Sequence, residues 1–110
     1  MLFVDTGEIS DPFYRKLRKF CEENKIRIIG AKVVKKNTEI DLLIEIPSAV
    51  GTLAYYCKAK NKKRCNEGDL SAAYVVGQNR RLPTLFITTG ELTKRAKDML
   101  SHEFKNMHVK

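Results

Sequence analysis

Two short segments of the sequence carry charged side chains at alternating positions, acidic in the first and basic in the second. They read TEIDLLIEI and, after a short turn, LAYYCKAK. Because successive side chains of a β-strand point to opposite faces, Glu39 and Asp41 share one face of the first segment. Tyr56, Lys58 and Lys60 share one face of the second. If the two segments pair as a hairpin, carboxylate and ammonium groups meet on one surface of a sheet.

A carboxylate beside a lysine on a sheet surface suits metal-assisted hydrolysis of a phosphodiester. In this interpretation Asp41 binds Mg²⁺ or Mn²⁺, and the metal polarises the phosphate and activates a water molecule. Lys58 orients the nucleophile or stabilises the negative charge that develops. The alternative is that Asp41 is a solvated residue on the exposed face of a half-buried sheet, and in that case Lys58 has no catalytic role either.

A basic stretch at residues 61–64 follows the second segment and, with Lys60 before it, supplies candidate contacts to phosphates. Its side chains serve either as DNA-binding groups or as a solubilising edge of the sheet. The net charge of +8 and the sequence pI of about 9.5 favour a polyanionic partner, because Lys and Arg release condensed counterions when they bind phosphates. DNA is the expected partner, and the candidate residues are Lys60, Lys62, Lys63 and Arg64.

Two polar residues of the predicted second helix are further candidates. Asn66 is a suitable N-cap with Asp69 at the third helical position, so Asp69 is either a capping partner or a metal ligand. Gln78 comes four residues after Tyr74, on the side of the helix that is expected to face the sheet. A polar side chain in that place needs a partner, which makes Gln78 a candidate for the site.

The elements that must position these residues follow the order α-β-β-β-α-β-α. The first three strands are expected to form a meander, and the strand after the second helix should return parallel to its partner through a right-handed crossover. Small residues in the second helix predict close packing on the sheet. The predicted elements are a helix from Asp11 and Pro12 to about Asn24, strands at 26–34, 38–46 and 53–60 with a turn at 47–51, a helix from Asn66 that ends before Pro83, a strand at 84–88, and a last helix with Leu92, Ala96, Met99 and Leu100 on its buried side.

This order and several motifs resemble the PD-(D/E)xK, or restriction-endonuclease-like, superfamily, and within it the Mrr-like and archaeal Holliday-junction-resolvase-like branches. The resemblance extends from the first helix through the last. Its pieces are the α-β-β-β-α-β order, IDLLIEI with Asp41, YYCKAK with Lys58, Gln78 on the middle helix, and LFITTGELTKRAKDML after it. The resemblance implies an α/β fold in which helices flank a mixed central sheet.

The resemblance also implies a function. In that family the aspartate binds a divalent metal, the lysine of (D/E)xK is catalytic, and a helix glutamine lies near the site. These roles correspond to Asp41, Lys58 and Gln78 in this sequence. The substrate class implied is DNA. Resolvase-like relatives act as dimers, so a homodimer is a further expectation.

Two positions depart from the family pattern. The acidic member of (D/E)xK falls at Tyr56 in this sequence. Many relatives also carry a glutamate in the first helix, but the nearest positions are Tyr14 and Arg15. Replacement metal ligands would come from Glu39, from Asp69 or from a main-chain carbonyl.

Length and composition favour a single domain over residues 1–110, either alone or as part of a longer protein. No stretch approaches the roughly 18 consecutive apolar residues of a membrane span, and the N-terminal residues lack a signal-peptide pattern. A cytoplasmic location without membrane contact is therefore expected. The cysteines show no CxxC or Cys/His cluster, which predicts reduced thiols with Cys57 in the core. His102 and His108 are expected at the surface.

The sequence leaves three functions open. The first is a metal-dependent DNA endonuclease, including one that processes junctions or damaged DNA. The second is a catalytically inactive DNA-binding domain of the same fold. The third is a protein-interaction module, which needs neither Asp41 nor Lys58.

Overall fold

Residues 11–102 and 107–109 are described by the computed structural model. Within these residues the chain forms a five-stranded sheet, a separate two-stranded sheet and helices that pack on the larger sheet. The elements in chain order are α1 (Pro12–Glu23), β1 (Arg27–Lys35), β2 (Glu39–Ser48), β3 (Gly51–Lys60), β4 (Arg64–Cys65), α2 (Glu67–Asn79), β5 (Thr84–Thr88), β6 (Glu91–Leu92), α3 (Lys94–His102) and β7 (Met107–Val109).

The large sheet is mixed, with the strand order β1-β2-β3-β5-β7. The pairs β1–β2 and β2–β3 are antiparallel, so the predicted meander is confirmed. The pairs β3–β5 and β5–β7 are parallel, because α2 and then α3 carry the chain back before each of these strands begins. The predicted fold class, a mixed central sheet flanked by helices, is confirmed.

Asp11 fixes the start of α1 and joins it to the first hairpin. Its Oδ1 accepts hydrogen bonds from the backbone N–H groups of Phe13 and Tyr14, at 2.9 Å and 3.2 Å. These N–H groups have no partner within a helix, so an N-cap aspartate stabilises the first turn. Its Oδ2 accepts a 2.7 Å hydrogen bond from the N–H of Asn37, in the turn between β1 and β2. One carboxylate therefore sets the position of α1 relative to the sheet.

Two hydrophobic cores lie on opposite faces of the large sheet. The first core contains α1 and includes Cys57 and Ala59 of β3, so the predicted core position of Cys57 is confirmed. The second core lies between the sheet and the other two helices and includes Tyr56 of the same strand. Adjacent residues of β3 thus enter different cores, as strand alternation requires. The charged residues of β2 and β3 lie on the face of the second core.

The turn between β2 and β3 is shorter than the sequence predicted. The strands extend to Ser48 and resume at Gly51, so only residues 49 and 50 are outside the ladder. Gly51 has a φ of 121°, a conformation that glycine adopts without the steric penalty of a side chain. Pro47 does not interrupt β2, because β1 pairs with β2 only as far as Glu45 and the proline has a neighbour on one side alone.

α2 lies close against β5, as its small residues predicted. Ala73 and Leu70 are buried in the second core. A Cβ atom at Gly77 would overlap the Oγ1 of Thr84 and would approach the carbonyl oxygen of Leu82 to 3.3 Å. Glycine is therefore required at position 77 by the close approach of the helix to the strand.

The region before α3 differs from the prediction. β4 and β6 form a two-stranded parallel sheet that the sequence did not indicate. Leu92, which was expected on the buried side of the last helix, lies in β6 instead, where it still packs against the second core. The helix begins only at Lys94, because the Oγ1 of Thr93 accepts a hydrogen bond from the N–H of Ala96 and caps the first turn.

β7, at Met107–Val109, lies in the tail for which the sequence gave no assignment. His102 belongs to the end of α3 and His108 to β7. Their side chains lie outside the described part of the structure, so their expected surface positions stay predictions. No helix within the described residues is long and apolar enough to cross a membrane.

Candidate functional site

The register of β2 and β3 places acidic and basic residues opposite one another. Asp41 pairs with Lys58, and Glu39 pairs with Lys60, across the antiparallel ladder. Directly opposed residues of such a ladder point to the same face, with their Cβ atoms about 4.5–5.5 Å apart. The hairpin inferred from the alternating pattern is confirmed, and with it the meeting of carboxylate and ammonium groups.

Charged side chains on this face alternate in sign and form one continuous series of ion pairs, which we call the lysine–carboxylate chain. β2 and β3 supply most of its members, and α2 and the basic stretch supply the rest. Because each carboxylate is matched by an ammonium group, the formal charges of the series cancel. Its members, in order of contact, are Asp41, Lys58, Glu39, Lys60, Asp69 and Lys62.

Asp41 is buried, with 1% of its surface exposed. A carboxylate removed from water costs several kcal/mol unless it is paired. Its Oδ1 lies 2.7 Å from the Nζ of Lys58 and accepts a 2.9 Å hydrogen bond from the Tyr56 hydroxyl. These two donors compensate for the loss of hydration.

Lys58 is also buried, with 8% of its surface exposed. Its Nζ lies 2.7 Å from the Oδ1 of Asp41 and 2.5 Å from the Oε2 of Glu39. Lysine is almost never buried to this degree without a partner. The ammonium group therefore sits between two carboxylates of β2 that are two residues apart and lie on the same face of the strand.

Glu39 joins Lys58 to Lys60, whose Nζ lies 3.2 Å from the Oε1 of Glu39. Burial alone would raise the pKa of Glu39, but the hydrogen bonds and charges of the two lysines outweigh burial and lower that pKa. Burial likewise would lower the pKa of Lys60, and its bonds to Asp69 and Glu39 raise it instead. Both groups therefore stay charged over a wider pH range than in water.

Asp69 has two structural roles. Its Oδ2 accepts a 2.9 Å hydrogen bond from the N–H of Asn66, whose Oδ1 accepts a 3.0 Å hydrogen bond from the N–H of Asp69. This is the capping box expected from the sequence. The same carboxylate lies 3.0 Å from the Nζ of Lys60 and 2.8 Å from the Nζ of Lys62. These ion pairs and the backbone bond outweigh burial and lower the pKa of Asp69.

Tyr56 occupies the strand position at which the resembled family has its second acid. Its side chain is fully buried and packs in the second core. Burial and the nearby Asp41 carboxylate raise the pKa of the Tyr56 hydroxyl, which keeps it protonated and able to donate its hydrogen bond. A hydrogen-bond donor thus replaces a potential metal ligand.

The three predicted metal ligands, Asp41, Glu39 and Asp69, are not brought together at one point. A divalent metal needs several oxygen ligands that converge on it. The Lys58 ammonium lies between Asp41 and Glu39, and the Lys60 ammonium lies between Glu39 and Asp69. Among the described residues no three His, Cys, Asp or Glu side chains are grouped so that they could hold a metal ion. This donor set does not fit Mg²⁺ or Mn²⁺, because lysines already neutralise its carboxylates.

The expected position of Gln78 against the sheet is wrong, because its side chain is exposed. Each helical residue is rotated by about 100° from the one before it, and the residue that faces β5 is Gly77. Gln78 also lies nine positions after Asp69, about 13 Å further along the helix axis. The structure therefore does not bring Gln78 to the lysine–carboxylate chain.

The four basic residues at the end of β3 and in the basic stretch differ in their surroundings. Lys60 and Lys62 are held by Asp69, whereas Lys63 and Arg64 are exposed. The backbone of the basic stretch is fixed by the loop after β5, which the sequence analysis had not connected with the site.

Gly90 in the loop after β5 approaches the basic stretch closely. A Cβ atom at Gly90 would overlap the carbonyl groups of Lys62 and Lys63. The Thr89 hydroxyl donates a 2.9 Å hydrogen bond to Asn61 Oδ1, which fixes the start of the stretch. The Thr-Thr-Gly run directly after a strand is the signal that points to such a loop.

Comparison with family models and with curated proteins found no match to this sequence. A solved structure, the MspJI restriction endonuclease in complex with a 27-mer oligonucleotide, is similar to the chain with a TM-score of 0.52 at 10% identity. The match covers 86% of this chain and 23% of that chain, so this chain spans only part of the length of its structural relative. The likeness confirms the restriction-endonuclease-like fold and does not distinguish its branches.

Proposed function

We propose that this chain is a DNA-binding domain built on the restriction-endonuclease-like fold, and that it holds the phosphodiester backbone without cutting it. The observation that carries this proposal is the pairing of every carboxylate of the site with a lysine, together with a tyrosine hydroxyl bonded to Asp41. The fold is that of a nuclease, and the site has basic groups for phosphates. Its carboxylates converge on lysine nitrogens and not on a free position for a metal ion.

The basic stretch supplies the phosphate contacts in this proposal. Lys63 and Arg64 are exposed, and they continue directly from the lysine–carboxylate chain. Lys60 and Lys62 lie behind them, with their ammonium groups held in place by Asp69. The net charge of +8 adds long-range attraction for a polyanion.

The test is DNA affinity as a function of salt. We expect the whole chain to bind labelled duplex and four-way-junction DNA in an anisotropy titration, with affinity that falls steeply as salt rises. Chelation of divalent cations with EDTA should leave this affinity unchanged. Absence of binding, or binding that does not respond to salt, would contradict the proposal and favour a protein-interaction module.

A matched pair of variants locates the surface. The double variant Lys63→Ala/Arg64→Ala should bind DNA more weakly, and the slope of log affinity against log salt should fall by roughly 2. The double variant Lys16→Ala/Lys19→Ala removes the same charge from the exposed side of α1, on the other face of the sheet. It should change affinity only slightly. Equal effects of the two pairs would mean that net charge, and not this surface, governs binding.

A metal-dependent endonuclease is the second candidate, and the strand register that sets Asp41 opposite Lys58 favours it. These are the acid and the base that the resembled family uses. Incubation of duplex, branched and single-stranded DNA with Mg²⁺ or Mn²⁺ tests this candidate. Cleavage by the wild type that is lost in Asp41→Asn and in Lys58→Met would establish a nuclease and contradict the binding-only proposal.

Several earlier expectations stay predictions. They concern the Mrr-like or archaeal resolvase-like branch, a homodimer, a cytoplasmic location, and a single domain over residues 1–110. The oligomeric state can be measured by light scattering on the whole chain. A dimer would place two copies of the basic stretch on one DNA molecule.

A further inference from the structure

We propose that the Lys58 ammonium group occupies the position at which a divalent metal would have to bind, and that removing it creates a metal site. The contacts that carry this inference are those of Lys58 Nζ with Asp41 Oδ1, at 2.7 Å, and with Glu39 Oε2, at 2.5 Å. The inference concerns metal binding alone, so it stands or fails independently of DNA binding.

The two carboxylate oxygens converge on one point, which is the position of the Lys58 nitrogen. Oxygen ligands bind Mg²⁺ at about 2.0–2.1 Å and Ca²⁺ at about 2.3–2.6 Å. A metal ion at this point would therefore need the oxygens to move inward, for Mg²⁺ by about 0.6–0.7 Å at Asp41 and about 0.4–0.5 Å at Glu39, and for Ca²⁺ by less. What prevents its entry is the ammonium group itself.

Lys58 is held firmly in this position. Its side chain is buried, its strand position is fixed by the pairing of β3 with β2 on one side and β5 on the other, and Phe86 of β5 is its neighbour in the parallel ladder. A divalent metal could enter only by displacing a buried ammonium group or by lying against it. A metal ion in contact with the Lys58 ammonium group would be repelled strongly, because little water screens the two charges at this buried position.

Asp41 would remain a good ligand after the lysine is removed. Its Oδ1 would keep the Tyr56 hydroxyl as a donor, which holds the carboxylate in its present orientation. Glu39 would keep Lys60, which is bound to the other oxygen of the same carboxylate. A variant without Lys58 thus retains two oriented carboxylates around a vacated cation position.

The test compares Mn²⁺ binding by the whole chain and by Lys58→Met, which keeps most of the length of the side chain and removes its charged end. Calorimetry and the electron paramagnetic resonance signal of free Mn²⁺ measure the affinity. Lys58→Met should bind Mn²⁺ at least about tenfold more tightly than the wild type, a change of about 1.4 kcal/mol. Its Tm should rise with added Mn²⁺, and that of the wild type should not.

Two control variants identify the ligands. Lys63→Met removes an exposed lysine from outside the series of ion pairs and should leave Mn²⁺ affinity at the wild-type value. The double variant Lys58→Met/Asp41→Asn should lose the affinity gained by Lys58→Met. If the double variant binds Mn²⁺ as tightly as the single one, the site lies elsewhere and the inference is overturned.

A measurement on the wild type keeps the inference testable if Lys58→Met does not fold. Mn²⁺ broadens the NMR signals of nuclei near it, so titration of the folded wild type reports on the surroundings of Lys58. Millimolar Mn²⁺ should leave the amide signals of Asp41 and Lys58 sharp. Selective broadening of these two signals would show that a metal enters beside the lysine, which would overturn the inference.

Discussion

The hydroxyl of Tyr56 donates a 2.9 Å hydrogen bond to Oδ1 of Asp41, and both side chains are fully or almost fully buried. The pair joins the second core to the charged site, because the ring of Tyr56 packs among apolar side chains while its hydroxyl reaches the carboxylate. Asp41 is thereby fixed from one side by the core and from the other by Lys58.

Loss of the tyrosine hydroxyl should destabilise the fold. Tyr56→Phe keeps the buried ring but leaves Asp41 with one donor fewer, and a buried group left without its bond costs about 1–3 kcal/mol. Urea unfolding of Tyr56→Phe, Asp41→Asn and the double variant measures this cost and the interaction between the two residues. The two single effects should not add. Strict additivity would mean that the hydrogen bond contributes nothing to stability.

Neutralising Asp69 should strengthen DNA binding. Asp69→Asn frees Lys60 and Lys62 from their carboxylate partner, and the amide oxygen can still accept the capping hydrogen bond from Asn66. The freed lysines can then neutralise phosphates, so affinity should rise several-fold with a steeper salt dependence. Glu23→Gln, at an exposed position at the end of α1 on the other face of the sheet, changes the net charge equally and is the matched control. An equal rise in both variants would attribute the effect to net charge alone.

Low pH should lower the stability of the fold because Glu39 and Asp69 become protonated. The pKa of each is lower in the folded chain than its ordinary value of 4.5 or 3.8, because ion pairs and hydrogen bonds outweigh burial. Such a group stabilises the folded state above its unfolded pKa, and this contribution disappears as the pH falls through the folded pKa. The free energy of unfolding should therefore hold down to about pH 5 and decline below it.

Urea titrations at a series of pH values, monitored by circular dichroism, measure this decline. The double variant Glu39→Gln/Asp69→Asn lacks both titrating groups, so its stability should depend less on pH over the same range. An identical decline in the variant and the wild type would assign the acid sensitivity to other carboxylates.

Gly90→Ala should disturb the basic stretch. The added Cβ would meet the main-chain carbonyls of Lys62 and Lys63, which cannot rotate away as a flexible side chain would. The β4–β6 pair should loosen, and DNA affinity should fall together with stability. Lys63→Ala provides the comparison, since it removes a phosphate contact without a backbone clash and should lower affinity at unchanged stability. A Gly90→Ala protein with wild-type affinity would remove the loop from the proposed surface.

The sequence predicted the parts of this molecule that depend on local periodicity. Alternation with a period of two placed Asp41 and Lys58 on facing positions, and the ladder confirms that placement. The capping box of Asn66 and Asp69 was equally visible, because its partners are three residues apart. These features need no knowledge of distant parts of the chain.

The features that the sequence mispredicted or did not predict depend on tertiary placement. The two-residue strands β4 and β6 are too short to show a pattern, and they form only because the loop at Gly90 brings them together. Gln78 was placed on the wrong side of α2, because a rotation of one residue exchanges a buried position for an exposed one. The ion pairs of Asp69 could not be foreseen, since they require the start of α2 to lie beside the end of β3.

Glu39 is the only member of the lysine–carboxylate chain whose two oxygens bind different lysines of β3. It therefore links the energetics of two separate elements, with Asp41 of β2 on one side and Asp69 of α2 on the other. A substitution at Asp41 or at Asp69 changes the contacts of a lysine that Glu39 also binds. The effects of the two substitutions on the free energy of unfolding should therefore not be additive. In Glu39→Gln the two ends should become energetically independent. A substitution in the strand would then change stability by the same amount whatever residue stands in the helix.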